Sequence, residues 1–445
     1  MKKKLALFLG LVPFLAAAQN PIIQTKYTAD PAPMVHNDTL FLYVGCDEKD
    51  APHNAYLMRE YRLYTTTDMV NWTDCGAPLR TSDFKWSAGD ASAAQCIERD
   101  GKFYWYISSQ NKFSPGSSIG VAVAESPYGP FKDALGKALV TNNMTTAAKH
   151  SWDDLDPTVF IDSNKQAYLY WGNGVCYQAK LNKDMISLNG PITALDIKDK
   201  TAFTEAPWVY KRNNLYYMIY AAEFPESIHY STGQTAEGPW KAEGVVMPLE
   251  KGSNTNHPGI IDYKGNSYFF YHNDALPEGH SYCRSVCVEQ FTYNPDGTIP
   301  QLHMTDEGIK KGVGTLNPYK RTEAETIAWA QGVVSATDKE TGVYITSIHN
   351  TDYIKVRDVD FGSKGASQFT ASASSRYHGG EIELRIDSLE GDVIGSLKIP
   401  YTGEWNNWEQ HSTNVKTTKG VHDLYLIFKG RTPHELFNFD YWMFK

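Results

Sequence analysis

A short unit made of a polar residue, an apolar strand, a polar turn and a second strand rich in Tyr and Phe recurs along the first two thirds of the sequence. Its clearest copy covers residues 204–220, with Glu205 as the polar residue and residues 211–214 as the turn. Apolar residues on both sides of a polar turn are typical of a β-hairpin, because the turn needs residues that tolerate unusual backbone angles. We therefore expect Glu205 to lie at the start of a buried strand.

Four further copies of the unit are present, and we call the first residue of each copy its anchor. The anchors are Asp30, Ala93, Asp156, Glu205 and His257. They are about 50–65 residues apart, which is typical of the blades of a β-propeller. Because the innermost strand of each blade starts near the central axis, a five-bladed β-propeller brings four polar anchors into one small region.

Three of the anchors are carboxylates that lie beside a proline or one residue before one, namely Asp30, Asp156 and Glu205. Proline fixes the local backbone and helps to aim the side chain. Two carboxylates on opposite sides of a glycosidic bond suffice to hydrolyse it, and a third can set the protonation state of the acid. An isolated Asp-Pro pair is usually only a turn, whereas three carboxylates at equivalent positions favour a catalytic site.

Other polar residues near the anchors are assigned lesser roles. We expect Asp153 and Asp154 to lie on a loop surface, and Glu223 and Glu226 to line or flank the cleft without acting. His257 has two interpretations, because an isolated histidine is usually a buried, hydrogen-bonded residue, whereas at a propeller axis it can hold a metal or a water.

The first residues of the chain and its net charge bear on localisation and partners. Residues 1–19 combine a charged start, an apolar run and small residues, which predicts a secretory signal peptide and an exported protein. No later stretch is apolar enough to span a membrane. The net charge of −9 argues against nucleic acid or an anionic membrane as a partner. The six cysteines leave disulfides or free thiols equally open.

The rhythm of the sequence changes after residue 310. Residues 20–310 carry the repeated unit, and residues 311–320, rich in Gly and Lys, are interpreted as a linker. Residues 321–445 alternate polar and apolar positions, which predicts a β-sandwich of the jelly-roll type. The expected fold is therefore all-β, with a five-bladed β-propeller followed by a β-sandwich.

The first region resembles glycoside hydrolase family 43. The matching motifs are residues 28–33, 156–160 and 204–207, with further similarity at residues 271–277, 284–288 and 296–299. The resemblance implies an inverting glycosidase without an organic cofactor, in which Glu205 is the acid, Asp30 is the base, and Asp156 positions Glu205 and keeps it protonated. It also implies that Arg284 contacts the sugar in the deepest subsite and that His257 helps to hold a central Ca²⁺ or a water.

The second region resembles a carbohydrate-binding module of family 6. The matching segments are residues 323–325, 352–356, 402–408 and 437–442. The resemblance implies a loop-end cleft in which Tyr344 and Trp405 clamp a sugar beside Asn438. It also implies a structural Ca²⁺ held by Glu325 and Asp440.

These observations predict an exported enzyme that removes terminal α-L-arabinofuranosyl groups from plant polysaccharide such as arabinoxylan, with the C-terminal module bound to the polymer. A β-xylosidase is the main alternative within the same class of enzyme. A glycan-binding protein without catalytic activity is the alternative from a different class.

Overall fold

The computed structural model describes residues 19–445 except residues 53, 199–201 and 432. Within this part of the chain the regular structure consists of β-strands and two 3-10 turns, Thr81–Asp83 and Asn142–Met144. The predicted all-β class is confirmed. The predicted signal peptide lies outside the described residues apart from Gln19, which is buried and donates its backbone N–H to the Asp306 carbonyl at 2.9 Å. No described helix is long and apolar enough to cross a membrane.

Five sheets follow one another along residues 28–291, and each is built mainly of antiparallel neighbours. The first sheet contains β1 (Thr28–His36), β2 (Thr39–Asp47), β3 (Met58–Thr66), β4 (Trp72–Asp74) and β5 (Leu79–Arg80). The second contains β6 (Ser87–Arg99), β7 (Lys102–Asn111), β8 (Ser117–Ala124), β9 (Lys132–Asp133) and β10 (Val140–Thr141). The third contains β11 (Thr158–Ile161), β12 (Ala167–Trp171), β13 (Tyr177–Leu181) and β14 (Thr193–Ala194). The fourth contains β15 (Ile197–Lys198), β16 (Phe203–Arg212), β17 (Leu215–Ala222), β18 (Ser227–Gly233) and β19 (Trp240–Met247). The fifth contains β20 (Gly259–Tyr263), β21 (Asn266–Asn273) and β22 (Ser285–Phe291).

Each of the five predicted hairpins is present, and its first strand lies at one edge of its sheet. These five strands, β1, β6, β11, β16 and β20, together line a cavity of about 440 Å³ near the turn ends of the hairpins. Four of the anchors lie at or just before the opposite ends of these strands, and Ala93 lies in the middle of β6. This convergence of consecutive sheets is the arrangement of a propeller.

The segment before β1 joins the first and fifth sheets. The Ile22 N–H donates to the Val286 carbonyl, and the Thr28 N–H donates to the Arg284 carbonyl, both at 2.9 Å. The beginning of the described chain therefore runs along β22, which comes from the last of the five sheets.

The C-terminal region is a sandwich of two sheets around its own core. Its strands are β23 (Thr322–Glu323), β24 (Thr326–Ile327), β25 (Trp329–Gln331), β26 (Val334–Asp338), β27 (Gly342–Thr346), β28 (Tyr353–Asp360), β29 (Ala366–Ser374), β30 (Gly380–Ile386), β31 (Val393–Ile399), β32 (Glu409–Thr418), β33 (Val421–Lys429) and β34 (Asn438–Phe444). One sheet has the order β26-β27-β34-β29-β32 and the other β25-β28-β33-β30-β31. Apolar residues of both sheets, including Phe369, Trp442, Leu384 and Leu426, are fully buried between them.

The two regions share a sheet and several hydrogen bonds. Strand β24 pairs antiparallel with β4 and so extends the first propeller sheet. The Ser335 hydroxyl donates to Asp74 Oδ2 at 2.8 Å, and the Arg357 guanidinium donates to the carbonyls of Ile309 and Lys310 at 2.9 and 2.8 Å. The predicted linker also packs on both regions, because Val313 N–H donates to the Asp68 carbonyl and Leu316 N–H to the Asp358 carbonyl.

Candidate active site and candidate sugar-binding cleft

A cavity of about 290 Å³ lies at the anchor end of the inner strands. Asp30, Asp156 and Glu205 all line it, together with Ala93 and Arg284. The structure therefore brings together the three predicted carboxylates, although Asp30 and Asp156 are 126 positions apart and Asp156 and Glu205 are 49 positions apart in the sequence. The small side chain of Ala93, the apolar anchor, leaves room beside them.

The backbone at the anchors is in the left-handed region. Asp30 and Asp156 have φ values of 57°, and Ala206, the residue after Glu205, has a φ of 60°. Each of these residues precedes a proline, which normally favours an extended conformation, so the arrangement costs about 1–3 kcal/mol at each position. The register of β1 shifts between Ala29 and Ala32, and the register of β16 shifts beside Glu205. By backbone conformation Ala206, and not Glu205, is the equivalent of the two aspartates.

Asp30 is held by a network of buried charges. Arg284 Nη1 donates to Asp30 Oδ1 at 3.0 Å, while Arg284 also makes a two-bond pair with Asp47 at 2.8 and 2.9 Å. The Asp30 N–H donates to His272 Nδ1 at 3.2 Å, and His272 Nε2 donates to the Thr255 carbonyl at 2.9 Å. Burial raises the pKa of Asp30 to about 6, and the Arg284 charge opposes this effect.

Arg284 lines the cavity, as a residue that contacts the sugar must, but most of its donors are already used. Its side chain is buried, it bonds to two carboxylates, and its guanidinium lies 5.0 Å from the centre of the Tyr56 ring. The observed role is to fix Asp30, and the sugar contact stays a prediction.

Asp156 and Glu205 lie in an environment that favours their protonated forms. Asp156 Oδ2 accepts the Ala206 N–H at 3.2 Å, which links the two anchors directly. Burial, followed by repulsion from Glu205 and Asp30, raises the pKa of Asp156 well above its usual range. Burial also raises the pKa of Glu205, whose Oε2 accepts the Asn173 side-chain amide at 2.5 Å.

Glu226 lines the cavity, as expected, and is far more buried than Glu223. It is 1% exposed, and burial followed by the charge of Glu205 raises its pKa well above its usual range. Its Oε2 accepts the Asn256 N–H at 2.7 Å. Glu223, three residues earlier, is exposed. Nothing in the local sequence distinguishes the two glutamates, because only the turn between β17 and β18 decides which of them faces inward.

The loop before Asp156 was predicted incorrectly. Asp153 and Asp154 are buried and not on the surface, because Tyr177 and Trp171 donate hydrogen bonds to them at 2.8 Å each. This loop presents Trp152 at the cavity, and the ring of Trp152 stacks on His150 at 4.2 Å.

Two exposed aromatic residues at the cavity were missed by sequence reasoning. Trp152 is 52% exposed and Phe224 is 68% exposed, and both line the cavity. Exposed aromatic faces beside buried carboxylates suit sugar rings, whose C–H faces are apolar. Both residues lie on connections between strands, where the repeated unit gives no information.

The residues at the axis do not fit a Ca²⁺ held by the protein. His257 is buried, its Nδ1 is 3.9 Å from both Asp30 and Asp156, and burial lowers its pKa to about 3, so the imidazole is neutral. Among the described residues there is no group of three His, Cys, Asp or Glu side chains arranged for a metal. Calcium prefers several oxygen ligands. We therefore derive no step through a metal here.

The predicted cleft residues of the sandwich are near one another but are arranged differently from a simple clamp. Tyr344 packs edge-on against Trp408 with ring centroids 5.4 Å apart, whereas Trp405 packs edge-on against Tyr377 at 5.6 Å. Asn438 is buried, donates to the Trp405 carbonyl at 3.0 Å and accepts from Thr346 at 2.7 Å. Asn438 thus positions the loop that carries both tryptophans.

The predicted calcium ligands of the sandwich have a different surrounding from His257. Glu325 is buried, and its Oε2 has no hydrogen-bond partner among the described residues. Asp440 accepts a hydrogen bond from Arg321 at 3.1 Å. An unpaired buried carboxylate oxygen is costly, and carboxylates are the ligands that Ca²⁺ prefers, so these two residues fit a cation.

Buried carboxylates facing a cavity at the end of a β-propeller, with a separate β-sandwich beside it, define a glycoside hydrolase with an attached module. The profile of glycosyl hydrolases family 43 matches residues 18–299, and that of carbohydrate binding module (family 6) matches residues 323–445. The chain belongs to glycosyl hydrolases family 43.

Three comparisons illustrate its relatives. The chain is 32% identical to an arabinoxylan arabinofuranohydrolase of Paenibacillus polymyxa, over 96% of this chain and 74% of the relative. It is similar, with a TM-score of 0.84 and 30% identity, to the crystal structure of a Bacillus subtilis family 43 arabinoxylan arabinofuranohydrolase in complex with cellotetraose, which covers 96% of this chain and 97% of that chain. It is 29% identical to a xylosidase/arabinosidase of Bacteroides ovatus, over 64% of this chain and 98% of the relative.

Proposed function

We propose that this protein is an exported, inverting hydrolase that removes terminal α-L-arabinofuranosyl groups from arabinoxylan. The observation that carries the proposal is the cavity in which Asp30, Asp156 and Glu205 meet. Its volume of about 290 Å³ suits a terminal sugar better than a polymer chain. The relatives that match both the propeller and the sandwich carry the name arabinoxylan arabinofuranohydrolase, which supports this substrate.

In the proposed mechanism each carboxylate has one task. Glu205 gives its proton to the departing oxygen as the glycosidic bond breaks, and the bonding electrons pass to that oxygen. Asp30, held by Arg284, takes a proton from the water that attacks the opposite face of the sugar. Asp156 accepts the Ala206 N–H and so helps to hold the neighbouring Glu205 in place.

The surroundings of the cavity support a polymeric substrate. Trp152 and Phe224 offer apolar faces at its rim, on which sugars of the xylan backbone can stack while the arabinose enters. The module binds the same polymer through Tyr344, Trp405 and the loop that Asn438 positions. Five sheets around one cavity support a five-bladed propeller as the scaffold.

A structural Ca²⁺ held by Glu325 and Asp440 belongs to the same proposal. It would supply charge to the unpaired Glu325 oxygen and tie the start of the sandwich to its last strand. We expect EDTA to lower the melting temperature of the wild type and to leave that of Glu325→Gln unchanged, as followed by calorimetry. Equal effects of EDTA on both proteins would contradict this assignment.

The first test compares aryl α-L-arabinofuranoside, β-D-xyloside and β-D-galactofuranoside substrates, together with arabinoxylan. Release of arabinose with an intact xylan backbone is the expected result, measured by chromatography, and the anomer released first is expected to be inverted, measured by proton NMR. Release of xylose instead would make the protein a β-xylosidase with the same carboxylates in the same roles.

Variants separate the enzyme from a glycan-binding protein without activity. We expect Asp30→Asn and Glu205→Gln to lower kcat on arabinoxylan by about 10²–10⁴-fold, because each removes a positioned base or acid. Glu223→Gln is the matched control, since Glu223 is exposed and close in sequence. A wild type that binds arabinoxylan but releases no sugar would favour the binding protein.

A further inference from the structure

The turn that joins β12 to β13 connects the two segments that carry Asp156 and Glu205. Three successive N–H groups of this turn donate to carbonyls outside it, namely Gly172 to Leu155 at 2.9 Å, Asn173 to Asp153 at 3.1 Å and Gly174 to Thr204 at 2.7 Å. Leu155 directly precedes Asp156, and Thr204 directly precedes Glu205. The turn therefore has a fixed position relative to both carboxylates.

Gly172 allows this turn to be tight. Its φ is 139°, and a Cβ at this position would overlap the Val175 carbonyl oxygen. Both conditions favour glycine over every other residue. The next residue, Asn173, lines the active-site cavity.

The side chain of Asn173 contacts the proposed acid directly. Its Nδ2 donates to Glu205 Oε2 at 2.5 Å. An amide NH₂ group is only a donor, so it bonds to the carboxyl oxygen that carries no proton. In the proposed mechanism Glu205 is protonated before the reaction, and this contact leaves Oε1 as the oxygen that holds the proton.

We propose that Asn173 is a positioning residue that directs the proton of Glu205 to Oε1 and stabilises the carboxylate that forms when this proton moves to the departing oxygen. This inference rests on the proposed function of Glu205. As the glycosidic bond breaks, its electron pair passes to the departing oxygen, which takes the Glu205 proton. The Asn173 amide keeps its own protons and now bonds to an anion, and a hydrogen bond to an anion is stronger than one to a neutral group.

The leaving group separates this role from a structural one, because an acidic phenol departs with little help from a general acid. We expect Asn173→Ala to lower kcat/KM on arabinoxylan by about 10–100-fold, as for loss of a hydrogen bond to a charged group. For 4-nitrophenyl α-L-arabinofuranoside we expect a loss of about threefold or less, since proton transfer contributes little there. The 4-methoxyphenyl compound, whose phenol is less acidic, is expected to lie between them.

The pH profile gives a second measurement. Donation by Asn173 favours the ionised form of Glu205, so its removal raises the pKa of Glu205. Because Glu205 acts while protonated, the basic limb of kcat/KM is expected to move to higher pH, by about one unit for a tenfold effect. The other titratable groups around the cavity are the same in both proteins, namely Asp30, Tyr56, Asp156, Glu226, His257 and Arg284.

A second variant and a control complete the experiment. Asn173→Asp keeps the shape of the side chain, and a further carboxylate beside Glu205 also disfavours its ionisation, so we expect the basic limb to move in the same direction. Asn189→Ala is the matched control, since Asn189 is exposed on the connection after β13. Circular dichroism and melting temperature establish that each variant is folded.

An equal loss on all three substrates, or a basic limb that stays in place, would overturn the inference, because Asn173 would then act on the fold or on sugar binding. The wild type is measured first on the same substrates. If it hydrolyses none of them, the proposed function fails and this inference fails with it.

Discussion

Asp30 combines an ion pair with a raised pKa, because burial outweighs the charge of Arg284. In the proposed mechanism Asp30 must be ionised to accept a proton from water. Since its pKa is about 6, lowering the pH through 6 protonates the base and removes activity. We expect kcat/KM for an aryl arabinofuranoside to fall about tenfold for each pH unit below 6, measured from pH 4 to pH 8. A constant kcat/KM down to pH 4.5 would contradict the assignment of Asp30 as the base.

Arg284 neutralises two buried carboxylates at once, so its removal leaves both Asp30 and Asp47 without their cation. We expect Arg284→Met to lower the free energy of unfolding by about 3–5 kcal/mol and to move the acid limb of the pH profile to higher pH. Chemical denaturation and the pH profile measure the two effects. Arg212→Met is the control, because its ion pair with Asp262 is partly exposed and is worth at most about 1 kcal/mol. Similar losses in both variants would argue against a special role for Arg284.

At this scale the sequence predicted the residues whose position follows from a local pattern. Asp30, Asp156 and Glu205 were found because each begins a repeated hairpin beside a proline, and the cavity contains all three. Asp47 was missed because its partner is distant in the sequence, whereas Glu226 was expected at the cleft and lines the cavity. Arg284 and Asp47 are 237 positions apart, and no short-range pattern in one sequence connects them.

Among the elements, the innermost strands approach one another closely enough to exclude a side chain. A Cβ on Gly259 of β20 would lie 2.6 Å from the Pro31 carbonyl and from Pro33 Cδ, both on β1. We expect Gly259→Ala to lower the free energy of unfolding by about 1–3 kcal/mol and to reduce kcat, because β1 carries Asp30. Gly314→Ala is the control, since a Cβ there has no neighbour nearer than 3.6 Å. The free energy of unfolding and kcat are measured for both variants. A Gly259→Ala variant with wild-type values would show that β1 and β20 can move apart.

The hairpins were predictable as elements because turn chemistry and hydrophobic pattern agree in each of them. The short outer strands were not, since β9, β10, β14 and β15 have only two residues each and are fixed by the strands beside them. Strand β24 is a similar case, because its partner β4 lies in the other region of the chain. The secondary-structure preference of a short segment does not indicate which distant strand it pairs with.

For the whole molecule, the contacts of Arg357 couple the propeller and the sandwich. Its guanidinium bonds to the carbonyls of Ile309 and Lys310 and to the Gln19 side chain, all outside the sandwich. We expect Arg357→Ala to lower the melting temperature and to split a single calorimetric transition into two, because the regions lose bonds that only the folded pair can form. Arg376→Ala serves as the control, as its contact with Glu404 is exposed and lies within the sandwich. Identical thermograms for wild type and Arg357→Ala would show that the regions are not coupled through this residue.

The segment that runs from Gln19 to β1 along β22 affects how the molecule is made. The edge of the fifth sheet is covered by the segment before β1, which is synthesised well before β22, and the first sheet receives β24 only after residue 326 has been synthesised. The segment before β1 cannot pair until β22 has been synthesised, and β4 cannot pair until β24 has been synthesised. The fold is therefore completed late in synthesis. Pairing between distant parts of a chain is slow. A protein assembled in this order remains unfinished during most of its translation.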